Sequence, residues 1–111
     1  MIGKHYILDD EHRVVEVDLL EWAMWFEEIS NRLVDYTQVT SQIEVSTVFL
    51  GLDHRFHGNG PPILFETMIF GGPPDIDECQ WRYSSWDDAQ AGHAAAVRKA
   101  RAAIGQKITS G

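Results

Sequence analysis

The sequence predicts an α+β protein: an antiparallel sheet of four or more strands carrying two helices, in a single domain over residues 1–111. Three observations lead there. Runs rich in β-branched and aromatic residues follow one another through the middle of the chain, with short connections between several of them. Two segments instead show helical spacing and helix-start chemistry, one beginning at Asp18 and one at Ser84. Helices and strands do not alternate regularly, which argues against a doubly wound parallel sheet. A chain of 111 residues is long enough to bury a core of its own.

The elements follow in order. "KHYIL" (4–8) and "RVVEV" (13–17) alternate about the polar turn "DDEH" and read as a first hairpin or two short edge strands. Asp18 suits the N-cap of the first helix, "DLLEWAMWFEEIS", with Glu21 three residues on to complete a capping box. At 100° per residue Leu19, Trp22, Ala23, Phe26 and Ile29 share a face, while Leu20 and Met24 fall outside it. That is more apolar surface than one packing face needs, so a second contact is expected, within the fold or with another subunit. "RLVDYTQV" (32–39) and "IEVSTVFLGLD" (43–53) form a hairpin through "TSQ". "ILFETMIFG" (63–71) is the next strand and "QWRYS" (80–84) a short last one. The C-terminal helix covers "SSWDDAQAGHAAAVRKARAAI". Ser84 and Ser85 each stand three residues before an aspartate, and Gly105 lies past the helix end. Residues 105–111 are expected to form a frayed tail.

Charge and composition narrow the function classes. A formal net charge of −8 argues against direct DNA or RNA binding, since a phosphate backbone needs a basic stripe. It leaves room for a small anion held by a local group of donors, and for an acidic surface that imitates nucleic acid. No apolar run reaches the ~18–20 residues of a membrane span. "MIGKHYILDD" lacks the apolar core of a secretory signal, so a cytoplasmic location is expected. Cys79 is the one cysteine, and no CxxC, HExxH, P-loop, GxGxxG or nucleophile elbow occurs. Neither a metal nor a cofactor is expected.

The densest group of functional side chains lies between two strands, in "DHRFHGNG". Asp53, His54, Arg55, His57 and Asn59 either dress a hairpin loop or, with backbone N–H groups and glycines, hold a phosphate or carboxylate. Glu66 interrupts the apolar "ILFETMIF", where it either pairs with an arginine across the sheet or reads a ligand's hydrogen-bond donors. Trp86, Ala89, His93, Val97, Ala100 and Ile104 share a face of the last helix, so His93 reads as a core or interface histidine. Arg98 and Arg101, with Lys99, gather near that helix's C-terminus. They suit its dipole or an anion. Trp22, Trp25, Trp81 and Trp86 serve the core, a base-stacking platform or a subunit interface.

The ordered blocks "STVFLGLDH", "LFETMIFGG" and "RYSSWDDAQAGH" resemble a family of small proteins of tailed phages and prophages, over roughly residues 14 to 98. In size, surplus aromatic surface and local cations the chain is also similar, at class level, to phage sponges that sequester cyclic-nucleotide or cyclic ADP-ribose signals of bacterial immunity. The resemblance implies a homo-oligomeric protein of the bacterial cytoplasm that captures a small anionic nucleotide without cleaving it. His54, Arg55, His57 and loop N–H groups would meet phosphate, joined by Arg98 or Arg101 of a neighbouring subunit. Asp53, Asn59 and Glu66 would read ribose or base edges. Two alternatives stand beside it: an acidic inhibitor of a host defence complex, and a small hydrolase acting through Asp53, His54 and Glu66.

Overall fold

The structure, a computed structural model, describes residues 4–55 and 58–109. It is α+β, with a four-stranded antiparallel sheet, a separate two-stranded sheet, a helix after the N-terminal strands and a C-terminal helix. Strands β1 (His5–Leu8) and β2 (Val14–Val17) form the small sheet. Asp9 builds their turn: its Oδ1 accepts from the backbone N–H of Glu11 and of Arg13, each at 2.9 Å, and its Oδ2 accepts from Arg13 Nε at 2.9 Å. His12 in that turn adopts a left-handed φ of 64° and lays its imidazole flat on Trp86, with centroids 3.8 Å apart.

Helix α1 (Leu19–Glu27) begins as the capping pattern predicts, with Asp18 Oδ1 accepting from Glu21 N at 2.9 Å. It ends earlier than expected. Glu28 is extended and becomes the N-cap of a separate turn, α2 (Ile29–Arg32), its Oε1 accepting from Ser30 Oγ at 3.1 Å. The packing stripe also differs from the expected face. Trp22, Trp25 and Phe26 are half-buried, whereas Leu19, Leu20, Met24 and Ile29 are 56–71% exposed. Gly51 explains the seating. It sits at φ 77°, and a Cβ there would come within 2.6 Å of Trp22 Nε1 and 2.8 Å of Phe26 Cε2. The two rings therefore close onto bare backbone, which tilts α1 onto its aromatic edge.

Strands β3 (Leu33–Gln38), β4 (Glu44–Phe49), β5 (Phe65–Phe70) and β6 (Gln80–Tyr83) pair in chain order as an antiparallel meander. Period-2 alternation sends Val45, Thr47 and Phe49 of β4, and Phe65, Thr67 and Ile69 of β5, to the face beneath helix α3 (Trp86–Thr109). The helix answers with Ala89, His93, Ala96, Val97 and Ala100, all buried. Gly92 faces Tyr83, whose hydroxyl a Cβ would overlap. The helix does not stop at Gly105. That glycine is not among those with positive φ and stays helical. Without a left-handed residue the backbone has no Schellman exit, and an interior glycine costs only about 1 kcal/mol relative to alanine.

The core beneath α3 divides in two. Ile43, Val45, Ile69, Ile76, Val97 and Ala100 pack at one end, and Leu8, Phe49, Leu64, Phe65 and Ala89 at the other. Between them lies a polar layer of Thr47, Thr67 and His93.

Candidate ligand-binding site

The loop that looked most chemical in the sequence is engaged with itself. Asp53 Oδ1 accepts from the backbone N–H of Arg55 and of Ile63, each at 2.8 Å, while His54 N donates to Ile63 O at 2.9 Å. These bonds pinch the loop at its base, an Asx turn extended to the returning strand. Partial desolvation pushes the Asp53 carboxyl up. The two backbone N–H groups and the charge of Arg55 outweigh it and hold the group below the usual carboxylate range. Arg55 Nε donates to Pro61 O at 3.2 Å, and its guanidinium lies against Gly60, where a Cβ would sit 3.2 Å from Cζ. Asn59 is exposed, and His57 lies outside the described residues.

The other sequence candidates are placed elsewhere. Glu66 Oε2 accepts from Arg82 Nε at 2.9 Å across the β5–β6 register, the cross-sheet pairing considered for it. Arg98 and Arg101 are exposed on α3, beside Val97 and Ala100 of the core cluster that includes Ile76. The 53–63 loop instead adjoins Leu64 and Phe65, in the opposite cluster. Within one chain the structure brings Asp53, His54 and Arg55 together, sets Arg98 and Arg101 beside the other cluster, and engages Glu66 with Arg82.

His93 is a buried, fully bonded core histidine. Its Nδ1 lies 2.7 Å from Thr47 Oγ1 and its Nε2 2.9 Å from Thr37 Oγ1. Thr47 Oγ1 in turn lies 2.6 Å from Thr67 Oγ1. Asp35 Oδ2 stands 3.7 Å from Nε2. Burial lowers the His93 pKa and outweighs the opposing pull of Asp35. The ring is therefore neutral near pH 7. Asp35 favours the proton on Nε2, leaving Nδ1 to accept from Thr47 and Thr47 to accept from Thr67. The set superficially matches a hydroxyl–imidazole–carboxylate relay. Yet Thr47 and Thr67 are fully buried, so no substrate atom can reach a nucleophile there. Among the described residues, no group of three or more His, Cys, Asp and Glu is arranged to hold a metal ion.

An open recess lies between the α1–α2 segment and strands β3–β4, with a volume of about 540 Å³. Phe26, Ile29, Leu33, Val48, Phe49 and Leu50 give it apolar walls, and Arg32 contributes a guanidinium beside Ser30 and Ser46. A register shift between Leu33 and Asp35 marks a bulge at this end of β3, a device that re-aims side chains at sheet edges. The Arg32 guanidinium carbon lies 4.4 Å from the Phe26 ring centroid. Among the described residues Arg32 makes no salt bridge, and its buried Nε has no acceptor. The two acidic residues nearest in sequence are engaged elsewhere: Asp35 Oδ1 accepts from Tyr36 N and its Oδ2 faces His93 Nε2, while Glu28 has turned its carboxylate to Ser30.

Sequence reading missed Arg32 and missed the threonines. The recoverable signal for Arg32 was its place directly after a helix with surplus apolar surface. For Thr37, Thr47 and Thr67 it was hydroxyls at sheet positions facing a helix that carries one buried histidine. Compared with known proteins, the chain matches no family model, no curated protein and no solved structure.

Proposed function

We propose that this protein is a binding protein that holds a small anionic ligand without turning it over. One observation carries the reading: on a body of net charge −8, an arginine with no carboxylate partner among the described residues stands in a concave apolar recess. Such recesses, mostly apolar with a few placed polar groups, are the usual form of small-molecule sites. A guanidinium in apolar surroundings attracts an anion more strongly than the same group in water.

The resemblance to small phage proteins makes a nucleotide immune signal the specific ligand to test first. In that finer reading a homo-oligomer would carry Arg98 and Arg101 of one subunit to the Arg55 loop of another. Purified protein incubated with a panel of cyclic nucleotides would show a raised melting temperature, and boiling would release the ligand intact. Consumption of the ligand would refute capture and favour the hydrolase.

A second reading, an inhibitor that docks on another protein, is favoured by the exposed Leu19, Leu20 and Met24 of α1. It predicts co-purification with a host complex and indifference to nucleotides.

A further inference from the structure

We infer that the ligand of the α1–α2/β3–β4 recess carries a single anionic head on an apolar body, as an aliphatic carboxylate or alkyl phosphate does. This rests on the anion-capture reading above and narrows it. Among the described residues Arg32 is the one charged side chain lining the recess. Its guanidinium makes no salt bridge among the described residues, so one carboxylate or phosphate oxygen pair fits its terminal nitrogens.

Beyond that head the walls supply almost nothing polar. Phe26, Val48 and Phe49 offer carbon only, the Ser30 hydroxyl already donates to Glu28, and Ser46 adds a single hydroxyl. Ile29, 70% exposed, and Leu33, 44% exposed, form apolar walls that a hydrocarbon chain would cover. A nucleotide's ribose, base edges and any second phosphate would compete for the Ser46 hydroxyl and lose most of their hydration. Size agrees as well. At about 540 Å³ the recess falls within the ~300–1,000 Å³ range usual for small-molecule sites.

The test uses the full chain and four probes: decanoate, butyrate, decanol and a set of cyclic nucleotides. Binding is read by thermal shift and titration calorimetry, with size-exclusion chromatography and light scattering alongside. Decanoate is expected to raise the melting temperature saturably, butyrate to do so at least tenfold more weakly, and decanol to bind at least tenfold more weakly than decanoate. Arg32→Gln should weaken decanoate at least tenfold and leave decanol unchanged. Ser46→Phe, which fills the recess, should abolish both. If Ser46→Phe fails to fold, the Arg32→Gln comparison decides. Equal binding of decanol and decanoate would overturn the inference. Cyclic nucleotides binding in an Arg32-dependent manner while decanoate does not would overturn the apolar-body inference and keep the capture reading. No binding of any anion would overturn both. A stable dimer that decanoate neither enters nor dissociates would show that a second copy covers the recess, and would also overturn the inference.

Discussion

Thr47→Val is the sharpest perturbation of this fold. Valine puts a methyl where the hydroxyl stood, so shape is kept and no cavity opens. What disappears is the centre of the polar layer: the 2.6 Å contact to Thr67 Oγ1 and the 2.7 Å contact to His93 Nδ1. Each such bond contributes about 1 kcal/mol net, and each buried group left without its partner costs about 1–3 kcal/mol. Thr67 is fully buried and His93 is 2% exposed, so water cannot replace Thr47. The expected loss is about 2–4 kcal/mol, a large part of the ~5–15 kcal/mol that holds a domain folded. In a chain of this size that lowers the melting temperature by about 8–15 °C, measurable by calorimetry and as a shifted urea midpoint with unchanged slope. The triple variant Thr47→Val/Thr67→Val/His93→Leu supplies the internal control, because it removes most of the polar layer instead of orphaning part of it. It should be more stable than Thr47→Val alone, since apolar replacement of both partners is close to neutral. A Thr47→Val protein within about 0.5 kcal/mol of the parent would refute the claim that this layer is buried and coupled.

Three further outcomes follow. His93 has its pKa lowered by burial, so the unfolded chain binds the proton more readily than the folded one. Its stabilising contribution is therefore complete above the unfolded value near 6.5 and declines as pH falls below it toward the folded value. Urea midpoints measured downward from pH 7.5 should fall in that window, and His93→Gln should flatten this part of the profile. Gly51→Ala should destabilise by about 2–3 kcal/mol, through a strained left-handed alanine and displacement of the Trp22 and Phe26 rings. Red-shifted tryptophan emission would report the displacement, and an unaltered melting curve would contradict the packing described. Asp53→Ala should cost about 1–2 kcal/mol by freeing two backbone N–H groups, and leave decanoate binding unchanged. Loss of ligand without loss of stability would return Asp53 to the binding site.

Much of the fold was legible because local chemistry and tertiary packing agreed. The Asp18 cap, the β-branched run of β4 and the Ala89–His93–Val97–Ala100 stripe each state one geometry, and each is found. Where the reading failed, a second structure competed locally. Glu28 can extend helix α1 or cap α2, and its side chain chose the cap. Gly105 can stop a helix only by taking a left-handed φ, which residue identity does not determine. The site was less legible. Charged residues crowded at 53–59 advertised a ligand, yet Asp53 and Arg55 point back into their own loop. Arg32 was inconspicuous because its significance is negative: among the described residues no carboxylate pairs with it, and that is a property of three-dimensional neighbours.

Elsewhere in the chain several polar side chains are matched. Asp9 holds a turn, Asp53 holds a loop, Glu66 pairs with Arg82, and His93 is matched at both nitrogens. Such completeness is what native folds achieve nearly everywhere, because an orphaned buried polar group is costly. Among the described residues the two buried side-chain nitrogens without an acceptor are Trp22 Nε1 and Arg32 Nε, both in the α1–α2 segment. The same segment leaves Leu19, Leu20, Met24 and Ile29 in water. Marginal stability does not forbid such a segment, but nothing in the packing of a lone chain rewards it. A partner that covers apolar carbon and brings an anion to the Arg32 guanidinium, which makes no salt bridge among the described residues, would reward both features at once, which is why the unmatched guanidinium and the uncovered side chains are better explained together than apart.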